Sequence, residues 1–136
     1  MPVARTLLLL AALAPAAPGA LGAQAGRWKD IGKTSTGNTV QMDPKSVTTK
    51  DGIITASFRV AYVTPVEYPK GKVTVVRAIG MFKCDARTVA LKESTSYIDE
   101  KAGKVADRSA PKIPGFGPAF TSNFSGVALD YLCPKK

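Results

Sequence analysis

Histidine is missing from this 136-residue chain altogether, and cysteine occurs only twice. Without histidine neither a Ser/His/Asp triad nor a Cys/His pair can be assembled, and a zinc site loses its commonest nitrogen ligand. Cys84 and Cys133 lie 49 positions apart, far from the C-x-x-C spacing of a redox or metal motif. Glycine-rich phosphate loops are lacking too: "PGFGP" is held between prolines and follows no strand-to-helix transition. Carboxylate pairs are available in name, Asp85 with Glu93 and Asp99 with Glu100, but two of these residues lie beside lysine or arginine in a turn and the pairs read as solvated turn charges. No enzyme, cofactor or metal is expected from such a chain.

What is present begins with a leader. Arg5 supplies a positive charge, "LLLLAALA" an apolar core too short to span a bilayer, and small residues follow, which is the layout of a cleaved secretory signal. Ala23-Gln24-Ala25 predicts cleavage after Ala25, with Ala23 as the second site, so residues 1–25 are the expected leader and residues 26–136 one domain. No later run is apolar enough for a transmembrane helix, and no cysteine near the cut can carry a lipid. The expected destination is therefore the periplasm, the medium or the cell surface, without a lipoprotein anchor. There both cysteines meet an oxidising environment, and a Cys84–Cys133 disulfide is the leading reading. By loop entropy such a bridge stabilises a fold by roughly 4 kcal/mol at most.

Charge is one-sided. Arg5 is the one basic residue of nineteen in the leader, and none of the ten acids lies there, so the domain carries eighteen basic residues and a net charge of +8. A field of that sign favours anionic partners or simply keeps a small exported domain soluble. The lysines are spread along the chain; Lys70 with Lys72, and Lys101 with Lys104, form local groups that make a candidate basic rim for a ligand. No element reads as a nucleic-acid module.

Turn chemistry cuts the domain into short strands. Residues 28–33 and 38–43 flank Ser35-Thr36-Gly37 as a first hairpin, and Asp43-Pro44 reads as a cap and first residue of one helical turn. Asp51-Gly52 predicts a tight hairpin into "IITASFRVAYVT", where Ile54, Ala56, Phe58, Val60 and Tyr62 share a face opposite Thr55, Ser57 and Arg59. Residues 65–71 are expected to interrupt. "KVTVVRAIGMFKC" is apolar on both faces and so predicts a central strand; "RTVALKESTSYID" alternates Val89, Leu91, Thr95 and Tyr97 against Lys92, Ser94 and Ser96. A turn at Gly103 leads to a short last strand. Residues 109–120 hold three prolines and two glycines and are expected to be irregular. Phe124, Val127, Ala128, Tyr131 and Leu132 then repeat at helical spacing behind Ser122 as cap; a strand would use Val127, Leu129, Tyr131 and Cys133 instead. The expected architecture is α+β: about six antiparallel strands, with a C-terminal helix packed on one face and riveted by the disulfide. Trp28 is expected in the core, whereas Phe116 and Phe120 fall in the proline-rich segment, where burial is less assured.

Taken in order, a tryptophan before Ile31-Gly32, "VQMD" with "PKSV", an Asp-Gly hairpin, "FKC", "SYID" and a final helix ending in cysteine resemble the surface-adhesin protein E family of bacterial exported proteins. The resemblance spans residues 28–133. It implies an antiparallel sheet with its last helix tied to one face through Cys84 and Cys133, and it implies adhesion, since the name-giving member binds host matrix and serum proteins. The expected function is that of a non-enzymatic binding domain of a bacterial envelope, holding a protein or an anionic envelope or matrix ligand. The alternative is a periplasmic inhibitor or chaperone-like factor acting on an envelope enzyme.

Overall fold

The computed structural model describes residues 26–135. The expected leader, residues 1–25, lies outside them. Strands β1 (Lys29–Lys33) and β2 (Thr39–Met42) form the first hairpin, and Asp43 then caps a 3-10 turn at Pro44–Ser46, its carboxylate accepting from the Lys45 amide at 3.0 Å. Strand β3 (Thr48–Lys50) turns into β4 (Ile53–Tyr68) through Asp51 and Gly52, both at positive φ (53° and 75°), as a primed turn demands. The remaining strands are β5 (Gly71–Lys83), β6 (Thr88–Asp99), β7 (Lys104–Ser109) and the two-residue β8 (Gly117–Pro118), and helix α1 (Phe124–Leu132) ends the fold.

All the strand pairs are antiparallel, in the order β1-β2-β4-β5-β6-β7, with β3 beside β4 and β8 beside β6. Strand β5 is interior, as its two apolar faces required. Residues 65–71 do not interrupt: β4 continues to Tyr68, and its register against β5 shifts between Ala61 and Val66. Pro65 falls inside that irregularity, where its missing N–H costs no ladder bond. A second shift sets Ile79 opposite Glu93 and Gly80 opposite Leu91, leaving Lys92 as the extra residue. One inserted residue swaps faces. Val89 and Leu91 consequently lie on the helix side, whereas Thr95 and Tyr97 lie on the other, contrary to the unbroken alternation expected. The proline-rich segment is irregular except for β8, which pairs with Thr88 and Val89.

The core lies between sheet and helix. Val40, Met42, Ala56, Phe58, Val60 and Phe82 meet Ala128, Leu129 and Cys133 there, with Phe58 edge-on to Phe82 at 5.5 Å and beside Phe124 at 5.3 Å. Burying one such phenylalanine contributes on the order of 1.5–3 kcal/mol. The cap of α1 is Asn123 rather than Ser122; its side chain accepts from the Ser125 amide at 2.9 Å. The apolar stripe is also rotated: Leu129 is buried, while Tyr131 leans out at the sheet edge, where Lys29 donates to its hydroxyl at 2.9 Å. A phenol buried in that core would have lost water without gaining a partner. The Cys84–Cys133 disulfide, with Cα atoms 5.3 Å apart, joins the end of β5 to the end of α1. Beside it Arg87 donates to the Cys133 carbonyl at 3.1 Å and to Asp130 at 2.7 Å, placing a cation where the helix dipole favours one. Among the described residues no helix is long and apolar enough to cross a membrane.

Candidate binding face

Because side chains alternate along a strand, a sheet that gives one face to a helix turns its polar positions to the other. Here those positions form a connected belt. Gln41 on β2 donates to Asp30 on β1 at 2.7 Å, and Arg59 on β4 donates to Gln41 at 2.9 Å. Arg59 also grips Glu100, beyond the end of β6, through Nε and Nη2 at 2.8–3.0 Å, while Arg77 on β5 reaches the same carboxylate through Nε at 2.8 Å. Two guanidinium groups thus share one acid. Glu100 is not the solvated turn charge expected from its neighbours: its side chain is only 16% exposed. Desolvation pushes its carboxyl up, but hydrogen bonds and charge from Arg59 and Arg77 together outweigh burial and hold it below its ordinary value.

Trp28 belongs to this face and not to the core, contrary to expectation. Its place in the chain, two residues before Asp30, gives it the parity of the belt. The ring is half-buried, with the Arg27 guanidinium 4.6 Å and that of Arg77 5.6 Å from its centre, and Arg77 lies equally near the Tyr97 ring at 5.6 Å. Arg27 is itself steered by Asp43, to which its Nε donates at 2.9 Å. Guanidinium groups stacked on aromatic faces are weakly hydrated and held in orientation. Around them lies a shallow cleft of about 190 Å³ lined by Arg27, Trp28, Arg77, Ile79, Glu93, Thr95 and Tyr97 among others.

The four lysines of the expected rim come to one end of the sheet. Lys70 sits in the β4–β5 turn and Lys72 near the start of β5; Lys101 sits in the β6–β7 turn and Lys104 begins β7. Antiparallel pairing of β5 with β6 sets these two turns side by side. All four are exposed; Lys72 is 3.7 Å from Glu67, and Lys104 stands opposite Asp99 in register. Glu100 directly precedes Lys101, so the belt runs into the rim. Cys84 and Cys133 are elsewhere, where the ends of β5 and α1 meet. Phe120 is 56% exposed, and Phe116 is half-buried under Lys83, whose Nζ is 4.0 Å from its ring centre. Reading the sequence alone misses Arg77, Gln41, Glu100 and Trp28 as one constellation. Arginines at polar-face positions of two long, adjacent strands are the signal that pointed to it.

The profile of a family described as surface-adhesin protein E matches residues 28–133. The chain belongs to the surface-adhesin protein E family. The family segment starts at Trp28 and ends at Cys133, so it takes in the belt, the rim and the disulfide. Among solved structures, a crystal structure of protein E from non-typeable Haemophilus influenzae is similar over 79% of this chain and 75% of its own, at 15% identity and a TM-score of 0.50. A second crystal form of Haemophilus influenzae protein E is similar over 80% and 91%, at 14% identity and a TM-score of 0.48. At such identity the first of these speaks for the shared fold. Among curated proteins none matches. In this member of the adhesin E family, a helix-covered apolar face is thus backed by an arginine–aromatic one.

Proposed function

We propose that this member of the adhesin E family is a non-enzymatic binding domain, exported after removal of residues 1–25 and not lipid-anchored, which holds a macromolecular ligand against its helix-free face. The observation that carries the reading is the belt and rim together: polar side chains of β1, β2, β4 and β5 joined through hydrogen bonds to Glu100, bordered at one end by exposed Lys70, Lys72, Lys101 and Lys104. A face serving stability alone has no need of an exposed Arg27 stacked on Trp28, because so exposed an ion pair contributes little. Long-range attraction from a basic rim draws an anionic ligand in, and the cleft beyond Glu100 orders part of it.

The test is binding of the oxidised chain to immobilised host matrix protein, run against capture from a bacterial envelope extract. Matrix binding that weakens as salt is raised, and that falls at least several-fold when the four rim lysines are changed to glutamate, supports the reading. Capture of an envelope enzyme alone, with no matrix binding, favours an inhibitor or chaperone-like role instead.

A further inference from the structure

The cleft itself has a chemistry more specific than net charge. Arg77 spends only Nε on Glu100 and Arg27 only Nε on Asp43; among the described residues the terminal nitrogens of both donate to no protein acceptor. Each therefore offers an open two-pronged donor, held in place by stacking on Trp28, and a carboxylate fits such a fork in bidentate fashion. Beside the forks are the Tyr97 ring and the apolar Ile79 side chain, then Thr95 and Glu93 as hydroxyl and acceptor. That sequence of donor fork, flat apolar patch and hydroxyl-binding polar groups matches a pyranose ring that carries an acid.

Geometry also argues against a peptide. The cleft lies over β4, β5 and β6, and β5 at its centre is hydrogen-bonded on both sides. No free strand edge is open there, so an extended chain cannot add itself by main-chain pairing. Side chains alone therefore meet the ligand. A volume of about 190 Å³ is below the ~300 Å³ of ordinary small-molecule pockets, enough for one ring of a larger ligand lying on the surface. We propose that the Arg27–Trp28–Arg77–Tyr97 cleft is a binding site for one carboxylated sugar residue, of the uronic acid type, within an acidic glycan. This rests on the proposed function and names the ligand class of that face.

Trp28 is the single tryptophan of the chain, so its fluorescence reports on the site directly. The oxidised chain is titrated with glucuronate, glucose, acetate and a tetraglutamate peptide. The expected result is a saturable change with glucuronate at concentrations at which the other three give little, and a loss of roughly tenfold or more in affinity for R77Q, the worth of one charge-assisted pair. R27Q, altered at a more exposed residue, should weaken glucuronate in the same direction, and serves if R77Q fails to fold by circular dichroism. A response to glucose equal to that of glucuronate, a stronger response to the peptide, or no response to any of them overturns the assignment. Matrix binding by a chain that ignores glucuronate would sink this inference and leave the proposed function standing; loss of matrix binding with the glucuronate response intact does the reverse.

Discussion

At the scale of single residues, two positions do work that their type alone does not announce. Gly126 lies where α1 starts against the preceding loop: its amide donates to the Phe120 carbonyl at 3.0 Å, and a Cβ there would stand 2.6 Å from that same oxygen. Backbone cannot yield as a flexible side chain does, so Gly126→Ala should lower the unfolding free energy by about 1–3 kcal/mol in urea titration. Glu100 is the other. Its carboxyl is held below its ordinary value of 4.5 by Arg59 and Arg77, so its contribution is present in full above that value and is lost as pH falls through the lower folded one. Glu100→Gln should therefore cost about 1–2 kcal/mol at neutral pH, after allowance for partial solvent screening, and almost nothing at acid pH where both proteins carry a neutral side chain. Urea midpoints at both pH values check this; an equal deficit at both would contradict it. Neither role was legible beforehand. Adjacent residues set Glu100 in a turn with lysine, whereas its partners come from positions 41 and 23 residues away.

Among the elements, α1 shows how far local pattern reaches. Its spacing announced a helix, and a helix of nine residues is too short to stand alone in water, so it had to pack. Which side it buries was settled by the sheet beneath, which took Leu129 and turned Tyr131 out toward Lys29. Replacing Cys84 and Cys133 together with alanine should destabilise the domain by roughly 2–4 kcal/mol and loosen α1 first, seen as faster amide exchange in Phe124–Leu132 than in β4 or β5. Asn123→Ala removes the cap that serves Ser125 and should cost about 1 kcal/mol. Ser122→Ala, by contrast, should be close to neutral. Strand β6 teaches the same lesson differently: alternation named its apolar residues, but the extra residue Lys92 assigned Thr95 and Tyr97 to the other face.

For the whole molecule the deciding quantity is a net charge of +8 on the domain laid over a two-faced sheet. Scattered along the chain, Lys70, Lys72, Lys101 and Lys104 are just lysines in turns; pairing of β5 with β6 gathers them at one end. If they act together, removing two of them by K101E and K104E should slow association with an anionic ligand more than it speeds dissociation, and the effect should fade at high salt. Surface plasmon resonance at two ionic strengths measures both rates.

The order of apolar, turn and half-cystine residues by itself determined that the chain is an antiparallel sheet closed by a disulfide-tethered helix. Those features follow from local turn geometry, from side-chain alternation and from the pairing of the chain's two cysteines. Only the tertiary structure decided that Trp28, Gln41, Arg59, Arg77 and Glu100 form a single belt, because it depends on strand register. A bulge of one residue or a hairpin one position longer would send half of these side chains into the core, and no local pattern records that choice.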